Sequence, residues 1–191
     1  MHFKHPIDTI LVINLFLLET LYYKGLEILN FYLSLHINNN TWEVCYLKSN
    51  ILVLEATQSN YEELREIFFT VRKNTFHWIK PETLKLSDFD ESTKDELILI
   101  ALIENEIVGF ISIWVPEKFI HNLFVLEGFQ GRGVGTALVN EAIERVGLPL
   151  ALKCVKSNTK AFNYYVSHNW KVEKEDMCSE GLYYLMKYYN E

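Results

Sequence analysis

The residues best equipped for chemistry are Gln130-Gly131-Arg132-Gly133-Val134-Gly135-Thr136, a glycine-rich stretch between an apolar run and an amphipathic run. At the start of a helix, backbone N–H groups are free and the positive end of the dipole points the same way, so the pair binds anions. Glycines at such a place let a phosphate approach without interference from Cβ. The stretch therefore predicts a phosphorylated ligand. A tight strand-to-helix turn alone would explain it less well, because three alternating glycines exceed what a turn needs. Other phosphate binders do not fit. The GxxxxGK[ST] pattern of a P-loop is absent, and a GxGxxG fingerprint opening at Gly131 would need glycine where Thr136 stands.

The elements around this stretch must hold it in place. Phe119–Val125 reads as a buried strand, and Leu138, Val139, Ala142, Ile143 and Val146 recur at helical spacing after it. Earlier, Ile51–Ala56 reads as a strand. Gln58-Ser59-Asn60 suits a cap, and Leu64, Ile67, Phe68 and Val71 mark an amphipathic helix. Ser87–Lys94 has room for a short second helix. Leu97–Ile103 and Ile107–Val115 read as a hairpin turning at Glu104-Asn105-Glu106 and closed by Pro116. Downstream come a strand over Leu150–Val155, a helix over Asn158–His168, and strands over Lys171–Glu175 and Leu182–Tyr189. This order predicts one α+β domain with a mixed sheet over residues 49–191.

Composition narrows the partners. A net charge of −7 argues against nucleic acid, whose phosphates need a basic surface, and suits an amine somewhat better. Cys45, Cys154 and Cys178 are widely spaced, which indicates neither a disulfide framework nor a metal site, and makes a reducing cytoplasm the default. Cys154 reads as a small buried hydrophobe.

Residues 1–48 stand apart. Asp8–His36 is apolar and aromatic and, by length and lack of breakers, is expected to be helical, with a loop at Asn38-Asn39-Asn40. Its longest uncharged run, Thr9–Leu18, has 10 residues, short of the ~18–20 that cross a membrane. No small-x-small cleavage site follows it, so a helical extension is preferred over a signal or anchor.

Gln130-x-x-Gly133-x-Gly135 matches the Q/R-x-x-G-x-G/A signature of the GCN5-related N-acetyltransferases (GNAT). Asn158-x-x-Ala161-x-x-x-Tyr165 resembles that family's N-x-x-A-x-x-x-Y segment. Asn169-Trp170 stand where Gly-Phe is commoner. The similarity spans about residues 50–189, includes the strand order, and leaves residues 1–48 unexplained. It implies an α/β/α sandwich with a mostly antiparallel sheet of six or seven strands. It also implies acetyl-CoA as acetyl donor, with no metal.

On that resemblance the Gln130–Thr136 backbone would take the diphosphate, with Arg132 adding a charged contact and Thr136 a hydroxyl. The pantetheine arm would lie along the strand, bound by the Val125 N–H, with the Leu123 N–H facing the acetyl carbonyl. Asn158, beside Ala161, would bind the arm or cap its helix, or do both. Tyr165 matches the family's acid tyrosine, and a purely positioning hydroxyl is its alternative. His121 is the preferred base, by strand alternation with Leu123 and Val125. Glu117 or a water relay is the alternative. Tyr164 is expected to pack. Phe76, His77, Trp78 and Trp114 are candidates for the acceptor pocket, or core.

The resulting expectation is an N-acetyltransferase acting on an amine acceptor by direct transfer in a ternary complex, with no cysteine intermediate. A catalytically inactive acyl-CoA-binding sensor or assembly module is the competing reading. No membrane partner is expected, and aromatics around Tyr183–Tyr189 make a homodimer plausible.

Overall fold

One central strand shows why the sheet is covered on both sides. In Leu97–Ile103, Ile98 and Ile100 pack to one face while Leu99 and Ala101 pack to the other, all four buried. A strand apolar on both faces needs helices above and below. The computed structural model describes residues 31–38, 41–48 and 51–189. Residues Asn50–Glu191 form one unit with β3 (Leu52–Glu55), α1 (Tyr61–Thr75), α2 (Asp88–Ser92), β4 (Leu97–Ile103) and β5 (Glu106–Trp114). It continues with β6 (Phe119–Val125), α3 (Val134–Val146), β7 (Leu150–Val155), α4 (Thr159–Ser167), β8 (Lys171–Cys178) and β9 (Gly181–Tyr188). The seven strands run in the order β3-β4-β5-β6-β7-β9-β8.

The predicted elements from residue 51 onward are all present, with ends shifted by a few residues. Leu64, Ile67, Phe68 and Val71 of α1 and Phe89 of α2 cover one face of the sheet. Val134, Leu138, Val139 and Ala142 of α3 cover the other. Truncating a fully buried side chain such as Leu138 to alanine would cost roughly 2–5 kcal/mol. Arg65 and Arg72 of α1 pair with Asp90 and Asp88 of α2 at 2.8 and 3.0 Å, which ties the two helices together.

The feature that positions the site is a seam. Parallel pairing of β6 with β7 is confined to Phe119↔Ala151 and Ile120↔Leu152. Along its other edge β7 pairs with β9 throughout, from Leu150↔Tyr188 to Val155↔Tyr183. From His121 onward that edge of β6 has no strand beside it. A bulge opposite Ser112-Ile113 resets the alternation of β6 at this point. The Leu126 N–H donates to the Val108 carbonyl of β5 at 2.9 Å. Strand N–H groups alternate, so those of Leu123 and Val125 face the opposite, unpaired edge.

The N-terminal expectation needs correcting where it can be checked. Phe31–Asn38 (β1) and Thr41–Lys48 (β2) are strands, paired antiparallel from Phe31↔Lys48 to Asn38↔Thr41, in a unit separate from residues 50–191. Residues 31–36 are therefore not helical. The apolar residues Phe31, Leu33, Leu35 and Ile37 recur with period two, a strand signal that outweighs the lack of helix breakers. The helix expected over residues 8–30 lies outside the described residues. None of the described helices is long and apolar enough to cross a membrane.

Candidate functional site

A cleft of about 770 Å³ opens where β6 and β7 part. At one end lies the glycine loop. Gly131 and Gly133 have φ of +73° and +85°, a left-handed backbone that favours glycine. Gly133 is the N-cap of α3, and its carbonyl accepts from the Ala137 N–H at 2.9 Å. The N–H groups of Val134, Gly135 and Thr136 precede that first helical bond and are the free donors of the helix start. The Val134 side chain is core, so only its main chain is available there.

Gln130 braces the loop. Its Nε2 donates to the Val125 carbonyl at 2.9 Å, and its Oε1 accepts from Lys160 Nζ at 2.6 Å. Lys160, on the first turn of α4, is a cation beside the loop that sequence reasoning missed, although it stands two residues past Asn158. Arg132 is exposed, with its guanidinium 5.2 Å above the Phe129 ring, and does not line the cleft. The Thr136 hydroxyl lies 3.4 Å from Tyr164 Oη and 3.2 Å from His168 Nε2. Tyr164 therefore does more than pack: its hydroxyl also sits where a Cβ on Gly135 would meet it at 3.3 Å.

The middle of the cleft is lined by Leu123, Val125, Cys154, Asn158, Ala161 and Tyr165. Asn158 caps α4, its Oδ1 accepting from the Ala161 N–H at 3.1 Å. The Tyr165 ring is buried against Trp170 and Tyr164, both centroids 5.3 Å away. Burial pushes its phenol far above the ordinary value, so it stays protonated. The hydroxyl has no hydrogen-bond partner among the described residues and is not sealed from solvent. Burial also pushes the Cys154 thiol up to about 11, which makes it a poor nucleophile at neutral pH.

The far end of the cleft is built from scattered residues. Phe76 and Trp78 stack at 4.7 Å, and Trp78 Nε1 donates to Glu180 at 3.3 Å, joining the chain after α1 to the β8–β9 turn. Glu180 carries no motif, and only the fold brings it to Trp78. Lys153 lies 5.2 Å from the Tyr183 ring centroid. His121 lines this end and its Nδ1 is hydrogen-bonded to Glu96. Because of the bulge, the alternation argument for its face does not apply, yet it reaches the cleft. Glu117 and Trp114 do not line the cleft, and His77 lines a smaller hollow beside it.

The chain is similar to known proteins in sequence and in fold. A sequence model described as Acetyltransferase (GNAT) family matches residues 57–170. An uncharacterized N-acetyltransferase of Archaeoglobus fulgidus is 29% identical over 126 residues, which is 58% of this chain and 78% of that protein. The PaiA N-acetyltransferase of Thermoplasma acidophilum, solved with coenzyme A, aligns with a TM-score of 0.59 at 19% identity over 72% of this chain and 97% of its own. Arabidopsis thaliana Naa50, solved with the bisubstrate analogue CoA-Ac-MVNAL, gives 0.57 at 13% identity over 74% and 99%. The family match spans more than half of the chain, and the seven-stranded mixed sheet flanked by helices agrees with the solved acetyltransferases: the chain belongs to the GNAT acetyltransferase family.

Proposed function

We propose that this acetyltransferase moves the acetyl group of acetyl-CoA to a primary amine, directly and within a ternary complex. The observation that carries this reading is the unpaired edge of β6, with the glycine loop at one end and an unpartnered tyrosine hydroxyl beside it. The PaiA and Naa50 structures named above contain coenzyme A or an analogue built on it, which supports the same donor here.

The residues fit such a donor. Backbone donors of Gly133–Thr136 would hold the diphosphate, with the Lys160 ammonium adding charge. The Val125 N–H would pair with the pantetheine arm as a neighbouring strand would, and Asn158 flanks it. The Leu123 N–H would donate to the acetyl oxygen as negative charge develops there. His121 takes a proton from the incoming ammonium, directly or through water, leaving the amine lone pair free to attack the acetyl carbon. As the carbon–sulfur bond breaks, the Tyr165 phenol gives its proton to the departing thiolate. Burial keeps the phenol protonated but disfavours the phenolate, so the second proton lost by the attacking nitrogen returns to that oxygen as the amide forms.

Thiol release tests the reading. The full chain would be mixed with acetyl-CoA and, one at a time, 2-phenylethylamine, tryptamine, spermidine, an aminoglycoside and a short peptide with a free N-terminus. Acetyl-CoA-dependent thiol release with at least one amine is expected. Tight coenzyme A binding with no transfer to any amine would favour an acyl-CoA sensor instead.

A further inference from the structure

We propose that Glu96 is a positioning residue for His121, fixing which ring nitrogen faces the substrate amine; the proposal rests on His121 serving as the base. Glu96 sits between α2 and β4, 25 residues from His121 in sequence, with its N–H donating to the Thr93 carbonyl at 3.2 Å. Its side chain is only 3% exposed, whereas that of His121 is 48% exposed. One carboxylate oxygen meets His121 Nδ1, and the other, Oε2, is buried with no partner. Glu96 itself does not line the cleft.

Burying a carboxylate is costly unless it is paired, and a well-packed apolar side chain would avoid that cost. The fold therefore has no need of an acid here. The histidine does. A carboxylate only accepts hydrogen bonds, so Nδ1 must carry the ring hydrogen, and Nε2 is left with its lone pair. Nε2 has no partner among the described residues, and His121 lines the cleft. When Nε2 takes the amine proton, the imidazolium that forms gains Glu96 as its counter-ion. Glu96 thus holds the ring as the acid of an Asp–His pair does.

Nitrogen-15 NMR of the histidine rings, on the full chain with coenzyme A added, tests this. In the wild type, neutral His121 should show hydrogen on Nδ1 and none on Nε2. Glu96→Leu, which removes the acceptor without leaving an unpaired group, should release the ring to a mixture of tautomers. Glu96→Gln, which can still accept through its amide oxygen, should restore the wild-type pattern. With the panel amine turned over fastest, Glu96→Leu should lower kcat about 10-fold or more, with KM and coenzyme A affinity within twofold. Hydrogen on Nε2 in the wild type, or an unchanged ring in Glu96→Leu, would overturn the proposal. Failure of every protein to bind coenzyme A would instead strike the functional reading and leave the ring result standing.

Discussion

The two ends of the cleft are built on opposite plans. The glycine-loop end comes from contiguous residues, Gln130–Thr136, and offers mainly main-chain donors. The far end gathers side chains from after α1 (Phe76, Trp78), from β6 (His121), from β7 (Lys153) and from the β8–β9 turn (Glu180). A main-chain cradle tolerates many sequences provided the backbone can take its shape. A wall of side chains changes character with any one of them. The shared donor and the individual acceptor preference of such an enzyme would thus be separate physical problems, solved at separate ends of one groove.

That contrast can be broken from either side. The largest effect is expected at the junction: Tyr165→Phe should lower kcat about 100-fold, within the range for general acids, while calorimetry shows coenzyme A affinity within twofold. Equal turnover would shift the burden onto the main-chain donors. At the cradle, Gly133→Val should weaken coenzyme A binding about 30-fold, or ~2 kcal/mol, because a β-branched residue resists a φ of +85°. Affinity within threefold would show that the loop is not the anchor.

At the opposite end, Trp78→Ala should raise the acceptor KM about 10-fold and leave the acetyl-CoA KM alone. A matching rise in both would mean the two ends are not independent. Cys154, on the wall between them, bears on stability and on neither ligand. The fold raises its thiol from 9.0 to about 11, so it favours the protonated form. That contribution is complete below pH 9 and is lost as pH climbs from 9 to 11, at most about 2.7 kcal/mol. Urea titrations at pH 8.5 and 10.5 should show this extra loss in the wild type but not in Cys154→Ala.

What the sequence revealed follows the same division. Gln130–Thr136, Asn158 and Tyr165 could be found because local spacing encodes them, and the strands from Leu97 onward because their apolar runs are unambiguous. Glu96, Glu180 and Lys153 were invisible, since single acidic and basic residues look alike until the fold selects them. His121 was reached by an alternation rule that a bulge invalidates, and no residue type announces a bulge. Tyr164 reads as a packing residue because it points to another side of the helix than Tyr165, and only the fold brings Thr136 to its hydroxyl. The strand at Phe31–Asn38 was missed for another reason: absence of breakers was weighed above an evident period of two.

The two-rung seam between β6 and β7 carries a consequence for how the protein endures. A sheet with an unfinished row of main-chain donors is completed by whatever lies along it, so its cohesion becomes partly borrowed. At a ligand concentration one hundred times Kd the loan amounts to about 2.7 kcal/mol. A ligand that takes up those donors would therefore make the folded chain harder to unfold and to proteolyse, with no change in its own side chains.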